Sequence, residues 1–120
     1  MKESAPVLVV EDDASILDVV RTALEAEGYS VCTATNGKEG LERVGECKPS
    51  LVLLDMRMPL VDGWQFAREL KRLSIDVPIV VMTAAQNARR WAEEIDADAY
   101  LAKPFDLDDL LATVARHRDS

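Results

Sequence analysis

Four apolar runs of this chain each lead into residue types that can bind a metal or handle a phosphate. VLVV and LVLL are followed by acids, PIVVM by a threonine and AYLA by a lysine. The residues are Glu11, Asp12 and Asp13, then Asp55, Thr83 and Lys103. Each run has the length of a buried parallel strand, and ligands in open α/β sheets bind at the carboxyl ends of the strands. We therefore expect these side chains to meet at one edge of a sheet.

Such a set of residues could transfer a phosphoryl group. Clustered carboxylates repel one another unless a cation neutralises them, and Mg²⁺ prefers oxygen ligands while keeping several waters. Asp55 could then attack phosphorus, because Mg²⁺ and Lys103 would neutralise charge on the incoming group. The product would be an aspartyl phosphate on the protein itself.

Each residue also has an ordinary structural explanation. An acid after a strand can cap the next helix, which is the role we favour for Asp13. One cap needs one carboxylate, however, so Glu11 and Asp12 remain candidate ligands. Asp55 could cap a loop, Thr83 is a common strand residue, and lone lysines are usually solvated.

The composition sets limits on the class of protein. The 120 residues include 22 acidic and 14 basic side chains, giving a net charge of −8. This charge disfavours direct binding to nucleic acid or to an anionic membrane surface. The sequence has no signal-peptide pattern and no run near ~20 apolar residues, so we expect a cytoplasmic protein without membrane insertion. Cys32 and Cys47 lack zinc-site spacing, and we expect separate buried thiols.

Strand-like runs alternate with helical patterns along the chain. The strands are predicted at 7–10, 30–34, 51–54, 78–82 and 99–101. The alternation predicts an α/β fold of five parallel strands in the flavodoxin-like order 2-1-3-4-5, with helices on both faces.

Turn and cap residues mark the helices between these strands. The first helix is predicted over 14–27, with Gly28 as a left-handed cap. Asn36 and Asp62, each before a glycine, precede the second and third helices, and Asp106 begins the last. The predicted inward residues of the last two helices are Trp91 and Ile95, then Leu107, Leu110, Leu111 and Val114.

Four motifs occur in order along the chain, namely VLVVEDD, LVLLDMRMPLVDG, IVVMTA and YLAKPF. With these motifs the chain resembles a response-regulator receiver domain of two-component signalling. The resemblance runs from about Val7 to about Val114 and implies that residues 1–120 form one receiver domain. It implies a phosphoryl donor, either a histidine kinase or a histidine phosphotransfer protein, and a downstream effector protein or output domain. It also implies a switch that catalyses only its own phosphorylation and dephosphorylation.

The resemblance assigns roles to particular residues. Asp55 is implied as the phosphoacceptor and, with Asp12, as a direct Mg²⁺ ligand. Glu11 is implied as a ligand through water, and the backbone carbonyl of Arg57 as a third protein ligand. No other cofactor is implied.

Three further residues are implied in the response to phosphorylation. Lys103 would contact the phosphoryl group, with a cis peptide to Pro104. Thr83 would move toward that group, and the ring of Tyr100 would turn inward. The surface of helix 4, strand 5 and helix 5 would change as a result.

Two departures from familiar receivers concern that surface. The segment from Thr83 to Tyr100 is a couple of residues short, which predicts a truncated fourth helix or preceding loop. Receivers joined to winged-helix domains often carry an aspartate before the switch aromatic and an arginine in helix 5, where this chain has Ala99 and Thr113. The salt bridges of that symmetric dimer are therefore not expected here.

Three other functions are weighed against the receiver. A phosphatase of the haloacid dehalogenase type needs a second acid two residues after the nucleophile, and Arg57 stands there. A receiver-like module that works without phosphate is expected to lose an acid, Asp55 or Lys103, and all are present. A nucleotide- or flavin-binding protein is disfavoured because no glycine-rich loop follows the first strand.

Overall fold

The computed structural model describes residues 5–118, in which strands and helices alternate. The strands are β1 (Val7–Val10), β2 (Val31–Ala34), β3 (Leu51–Asp55), β4 (Ile79–Ala84) and β5 (Ala99–Lys103). The helices are α1 (Ala14–Ala26), α2 (Gly37–Cys47), α3 (Gly63–Arg72), α4 (Ala85–Glu94) and α5 (Leu107–Arg118). All neighbouring strands are parallel and the sheet order is β2-β1-β3-β4-β5, so the predicted fold and strand order are confirmed.

The sheet is buried on both faces, which explains its continuous apolar runs. One face carries Leu8, Val10, Leu54 and Val81 against α2, α3 and α4. The other carries Val7, Val9, Leu53 and Met82 against α1 and α5. Alternate residues of one strand thus serve two cores, because side chains along a strand point to opposite faces.

Capping residues begin the helices where the sequence predicts them. Asp13 accepts from the backbone N–H groups of Ser15 and Ile16, and Asn36 accepts from that of Glu39. Asp62 forms a capping box with Gln65, and Asp106 Oδ1 accepts from Asp109 N at 2.9 Å. Gly28 has a φ of +93°, the region that glycine enters without steric cost. The capping role predicted for Asp13 is confirmed.

Some predicted boundaries and orientations differ in the structure. Asp55, Thr83 and Lys103 lie within the last residues of their strands rather than after them. Leu107 is 43 % exposed, so its predicted inward position is wrong, whereas Leu110 and Val114 are fully buried. Leu107 is the first residue of α5, where the helix has not yet turned onto the sheet.

The prediction for the two cysteines is also wrong. Cys32 on β2 and Cys47 at the end of α2 form a disulfide with their Cα atoms 7.0 Å apart. Helix α2 packs back along β2 and brings together two residues that are 15 apart in sequence.

The short connection before Tyr100 has a specific form. Strand β4 ends at Ala84 and α4 begins at Ala85, so no loop residue separates them. The N-terminus of α4 has no capping side chain. No helix within residues 5–118 is both long and apolar enough to cross a membrane.

Candidate functional site

Three carboxylates meet at the carboxyl edge of the sheet. Oxygens of Glu11, Asp12 and Asp55 lie within 4.8 Å of one another. Glu11 follows β1 and is 1 % exposed, Asp55 ends β3 and is 5 % exposed, and Asp12 is open to solvent. Strands β1 and β3 are paired in register, with Val10 opposite Leu54, so their next residues emerge side by side. The predicted convergence of these acids is confirmed.

Lys103 supplies a positive charge to this cluster. Its Nζ donates to Glu11 Oε1 at 2.8 Å and lies 3.7 Å from Asp55 Oδ1. The other Glu11 oxygen, Oε2, accepts from the backbone N–H of Asp13 at 3.0 Å. Both Glu11 oxygens therefore have partners, while three carboxylates face a single ammonium group.

The environment of Asp55 raises its pKa to about 7. Burial is the main cause, because it disfavours the charged form, and the neighbouring Glu11 carboxylate adds to it. Lys103 and the backbone N–H of Arg57 act in the opposite direction. That N–H group donates to Asp55 Oδ1 at 3.3 Å, so the Arg57 backbone lies against the carboxylate. An added cation would lower the pKa of Asp55 from this raised value, since it favours the charged form.

The remaining predicted residues occupy β4 and β5. Thr83 is 3 % exposed and pairs with Ala102, one position before Ala84 pairs with Lys103. It therefore lies at the same edge of the sheet as Asp55, which pairs with Met82. Tyr100 pairs with Val81, deeper in the sheet, and is 45 % exposed. The Lys103–Pro104 peptide is cis, as the resemblance implies.

An apolar depression of about 580 Å³ lies beside Lys103. Helix α1 lines one side, and the segment from β5 to α5 lines the other. Two of its lining residues, Val19 and Leu107, are large apolar side chains left 52 % and 43 % exposed. A macromolecule that approaches Asp55 from this edge would meet an apolar surface.

Two side-chain interactions near the site are absent from the sequence-based prediction. The first is the ion pair of Lys103 with buried Glu11, which joins residues 92 apart. The second is a hydrogen bond from Trp64 Nε1 on α3 to Glu94 Oε1 on α4 at 2.8 Å. A tryptophan directly after the Asp62–Gly63 turn was the only sequence signal for the second.

The residues present fit a divalent hard cation. Two of the clustered acids, Asp12 and Asp55, are not held by the lysine hydrogen bond that holds Glu11. The excess of negative charge and the all-oxygen donor set are those that Mg²⁺ prefers.

Comparisons with known proteins agree with this architecture. Residues 7–115 match the family model described as "Response regulator receiver domain". The chain is 40 % identical to "Response regulator MprA" of Mycolicibacterium vanbaalenii over 108 residues, covering 88 % of this chain and 47 % of that protein. It is 39 % identical to the protein of the same name from Mycobacterium leprae, covering 90 % and 48 %. The chain thus spans about half the length of these curated relatives.

Solved structures give the same result. The receiver domain of the Francisella response regulator 1452 superposes with a TM-score of 0.87 at 28 % identity, covering 97 % of this chain and 98 % of that one. The chemotaxis protein CheY4 of Vibrio cholerae superposes with a TM-score of 0.84 at 29 % identity, covering 95 % and 98 %. The chain therefore belongs to the response regulator receiver domains of two-component systems, which are generally not enzymes.

Proposed function

We propose that Asp55 accepts a phosphoryl group from a phosphohistidine on a histidine kinase or a histidine phosphotransfer protein. The observation that carries this proposal is a buried carboxylate at the mouth of the sheet, with two further acids and a lysine within reach. Phosphorylation would then change the surface formed by α4, β5 and α5, which a downstream effector or output domain reads. We also propose that residues 1–120 form one receiver domain and that the protein is cytoplasmic.

The transfer is a displacement at phosphorus. A carboxylate oxygen of Asp55 forms the new P–O bond while the P–N bond to the donor imidazole breaks, and the imidazole nitrogen keeps the electron pair and takes up a proton. Asp55 must be ionised to attack, so groups that lower its pKa favour the reaction. Lys103 is one of them, and its ammonium group would also offset charge on the phosphoryl oxygens. Attack by water on the acyl phosphate would release phosphate and restore Asp55.

Receiver domains typically bind Mg²⁺. In this chain Asp12, Asp55 and the Arg57 carbonyl would be direct ligands, with Glu11 acting through water. When bound, the ion would supply positive charge that screens the acids and the phosphoryl oxygens. Glu11 fits an indirect role because both of its oxygens already have protein partners.

Thr83 and Tyr100 form the proposed switch. The Thr83 hydroxyl would bond a phosphoryl oxygen, and the space it leaves would admit the ring of Tyr100, which is now half exposed. New charge-assisted hydrogen bonds would supply the free energy for this change. The exposed position of Tyr100 supports assigning this structure to the unphosphorylated state.

The apolar depression beside Lys103 supports docking of the phosphodonor. A histidine side chain reaches Asp55 only if its own protein lies against the carboxyl edge of the sheet. Val19 and Leu107 are exposed at that edge, where they could pack against an apolar helix face.

Incubation with acetyl phosphate and Mg²⁺ tests the proposed function. The intact mass should increase by one phosphoryl group that is stable in acid and lost in base, as an acyl phosphate is. EDTA should prevent the increase. A folded protein that gains no such group from acetyl phosphate or from any histidine donor would contradict the proposal.

Lys103→Ala is expected to leave the protein folded and to weaken its response to a phosphoryl mimic. The substitution leaves buried Glu11 without its cation, so we expect a loss of roughly 1–3 kcal/mol in the free energy of unfolding. Affinity for beryllofluoride should fall, because the ammonium group no longer offsets its charge. Urea unfolding and beryllofluoride titration measure the two effects, with exposed Lys71→Ala as the control. Loss of the far-UV spectrum would mean that Lys103 is chiefly structural.

We also expect no activated dimer built on the α4–β5–α5 face with the salt bridges of winged-helix regulators. Ala99 on β5 and Thr113 on α5 carry no charge, and Thr113 is 8 % exposed. Sedimentation with and without beryllofluoride should show a monomer or a dimer built through another surface. A symmetric dimer through this face that appears only with beryllofluoride would show that the argument from Ala99 and Thr113 is wrong.

A further inference from the structure

The two tryptophans of this chain meet between α3 and α4. Their ring centroids are 4.9 Å apart and their planes are inclined by 69°, an edge-to-face contact. Trp91 on α4 is 8 % exposed, and Trp64 in the first turn of α3 donates from Nε1 to Glu94 Oε1 at 2.8 Å. We call Trp64, Trp91 and Glu94 the tryptophan latch.

On the α3 side, the latch adjoins the loop that follows Asp55. The N–H of Gly63 donates to the carbonyl of Met56 at 3.0 Å, and a Cβ added at Gly63 would lie 2.8 Å from Met56 Cα. Met56 is the residue after Asp55 and is fully buried. The first turn of α3, which carries Trp64, is thus packed against the backbone next to the proposed phosphorylation site.

On the α4 side, the latch holds a helix that begins two residues after Thr83. Strand β4 passes directly into α4, so no loop residue is available to absorb a displacement of Thr83. The N-terminus of α4 also lacks a capping side chain, so no side-chain hydrogen bond of that kind fixes this end of the helix. The latch contacts the other half of the same helix, at Trp91 and Glu94. A shift of α4 that follows Thr83 would therefore have to change the latch.

We propose that Trp64 is a positioning residue whose latch holds α4 in the arrangement of the unphosphorylated protein. This inference rests on the proposed function, because it needs Thr83 to move on phosphorylation. A hydrogen bond of 2.8 Å and an edge-to-face ring contact both weaken within about 1 Å of displacement, so the latch acts over a short range. Loosening it lowers the cost of moving α4 and, by linkage, strengthens binding of any phosphoryl mimic.

Glu94→Ala tests the latch, and Glu93→Ala is its matched control. Each substitution removes one exposed i,i+4 ion pair from α4, with Arg90 and Arg89 respectively, but only Glu94 accepts from Trp64. With Mg²⁺ present, Glu94→Ala and Trp64→Phe should bind beryllofluoride roughly 3- to 10-fold more tightly than the wild type. Glu93→Ala should bind as the wild type does. Equal affinity of the Glu94 and Glu93 variants, or weaker binding by Glu94→Ala, would overturn the inference.

The tryptophan signal of the protein reports on the latch directly, because both tryptophans of the chain belong to it. In the long-wavelength near-UV bands, where tryptophan absorbs and tyrosine does not, the circular dichroism of the wild type should change when beryllofluoride is added, and the signal of Glu94→Ala without the mimic should already be shifted toward that form. A spectrum of the wild type that stays constant while beryllofluoride binds would overturn the latch alone. A folded wild type that binds no beryllofluoride would instead overturn the proposed function.

Discussion

Asp55→Asn is expected to abolish the uptake of a phosphoryl group from acetyl phosphate. An amide oxygen is a far poorer nucleophile than a carboxylate, and the variant also removes one of the clustered acids. The variant should remain folded, because asparagine has nearly the same shape as aspartate. It also removes a negative charge that burial and the neighbouring Glu11 carboxylate disfavour. Intact mass before and after treatment measures the effect, which should be complete.

Asp62→Asn provides the matched control for this loss. Asp62 lies in the loop that follows Asp55, but it caps α3, a role that asparagine fills about as well. This variant should take up one phosphoryl group as the wild type does. Equal labelling of Asp55→Asn and the wild type would show that another residue accepts the group.

In EDTA, the free energy of unfolding of the wild type should fall relative to that of Asp55→Asn as the pH rises from about 5 to about 8. The pKa of Asp55 is about 7 in the folded protein and 3.8 as its ordinary value. Between these values the folded state holds a proton that the unfolded chain has released. The stability that this proton contributes is fully present below the ordinary pKa and is lost as the pH rises to about 7. Above that pH the difference should stay constant.

The expected change follows from the part of the pKa shift that lies inside this pH range. At about 1.4 kcal/mol for each unit, Asp55→Asn should gain roughly 2–3 kcal/mol on the wild type between about pH 5 and about pH 8. Urea unfolding of both proteins at each pH measures it. A constant difference across the range would show that Asp55 is ionised throughout in the folded protein.

Adding Mg²⁺ at about pH 8 should reverse much of this loss in the wild type. A ligand that binds only the folded state stabilises it by mass action, and it also relieves repulsion among the three acids. Asp12→Asn should need more Mg²⁺ for the same stabilisation, since it loses a proposed ligand. If Asp12→Asn and the wild type respond equally, Asp12 is not a ligand.

The sequence by itself determines the framework and most of the site. Buried parallel strands need apolar side chains on both faces, so β1, β3 and β4 appear as continuous apolar runs whose order and ends can be located. Caps such as Asp13 and Asp62 act on backbone groups two or three residues away, so their role is readable from local spacing. Because parallel strands end at one edge, convergence of Glu11, Asp12 and Asp55 also follows from the pattern alone.

Only the tertiary structure decides which distant side chains meet, because such contacts depend on how whole elements pack. Glu11 and Lys103 are 92 residues apart, and their ion pair exists because β1 and β5 deliver both to one edge. Trp91 was correctly predicted to face inward, yet its contact with Trp64 depends on the angle between α3 and α4. The raised pKa of Asp55 is likewise a product of burial and of Glu11 beside it, neither of which a linear sequence contains.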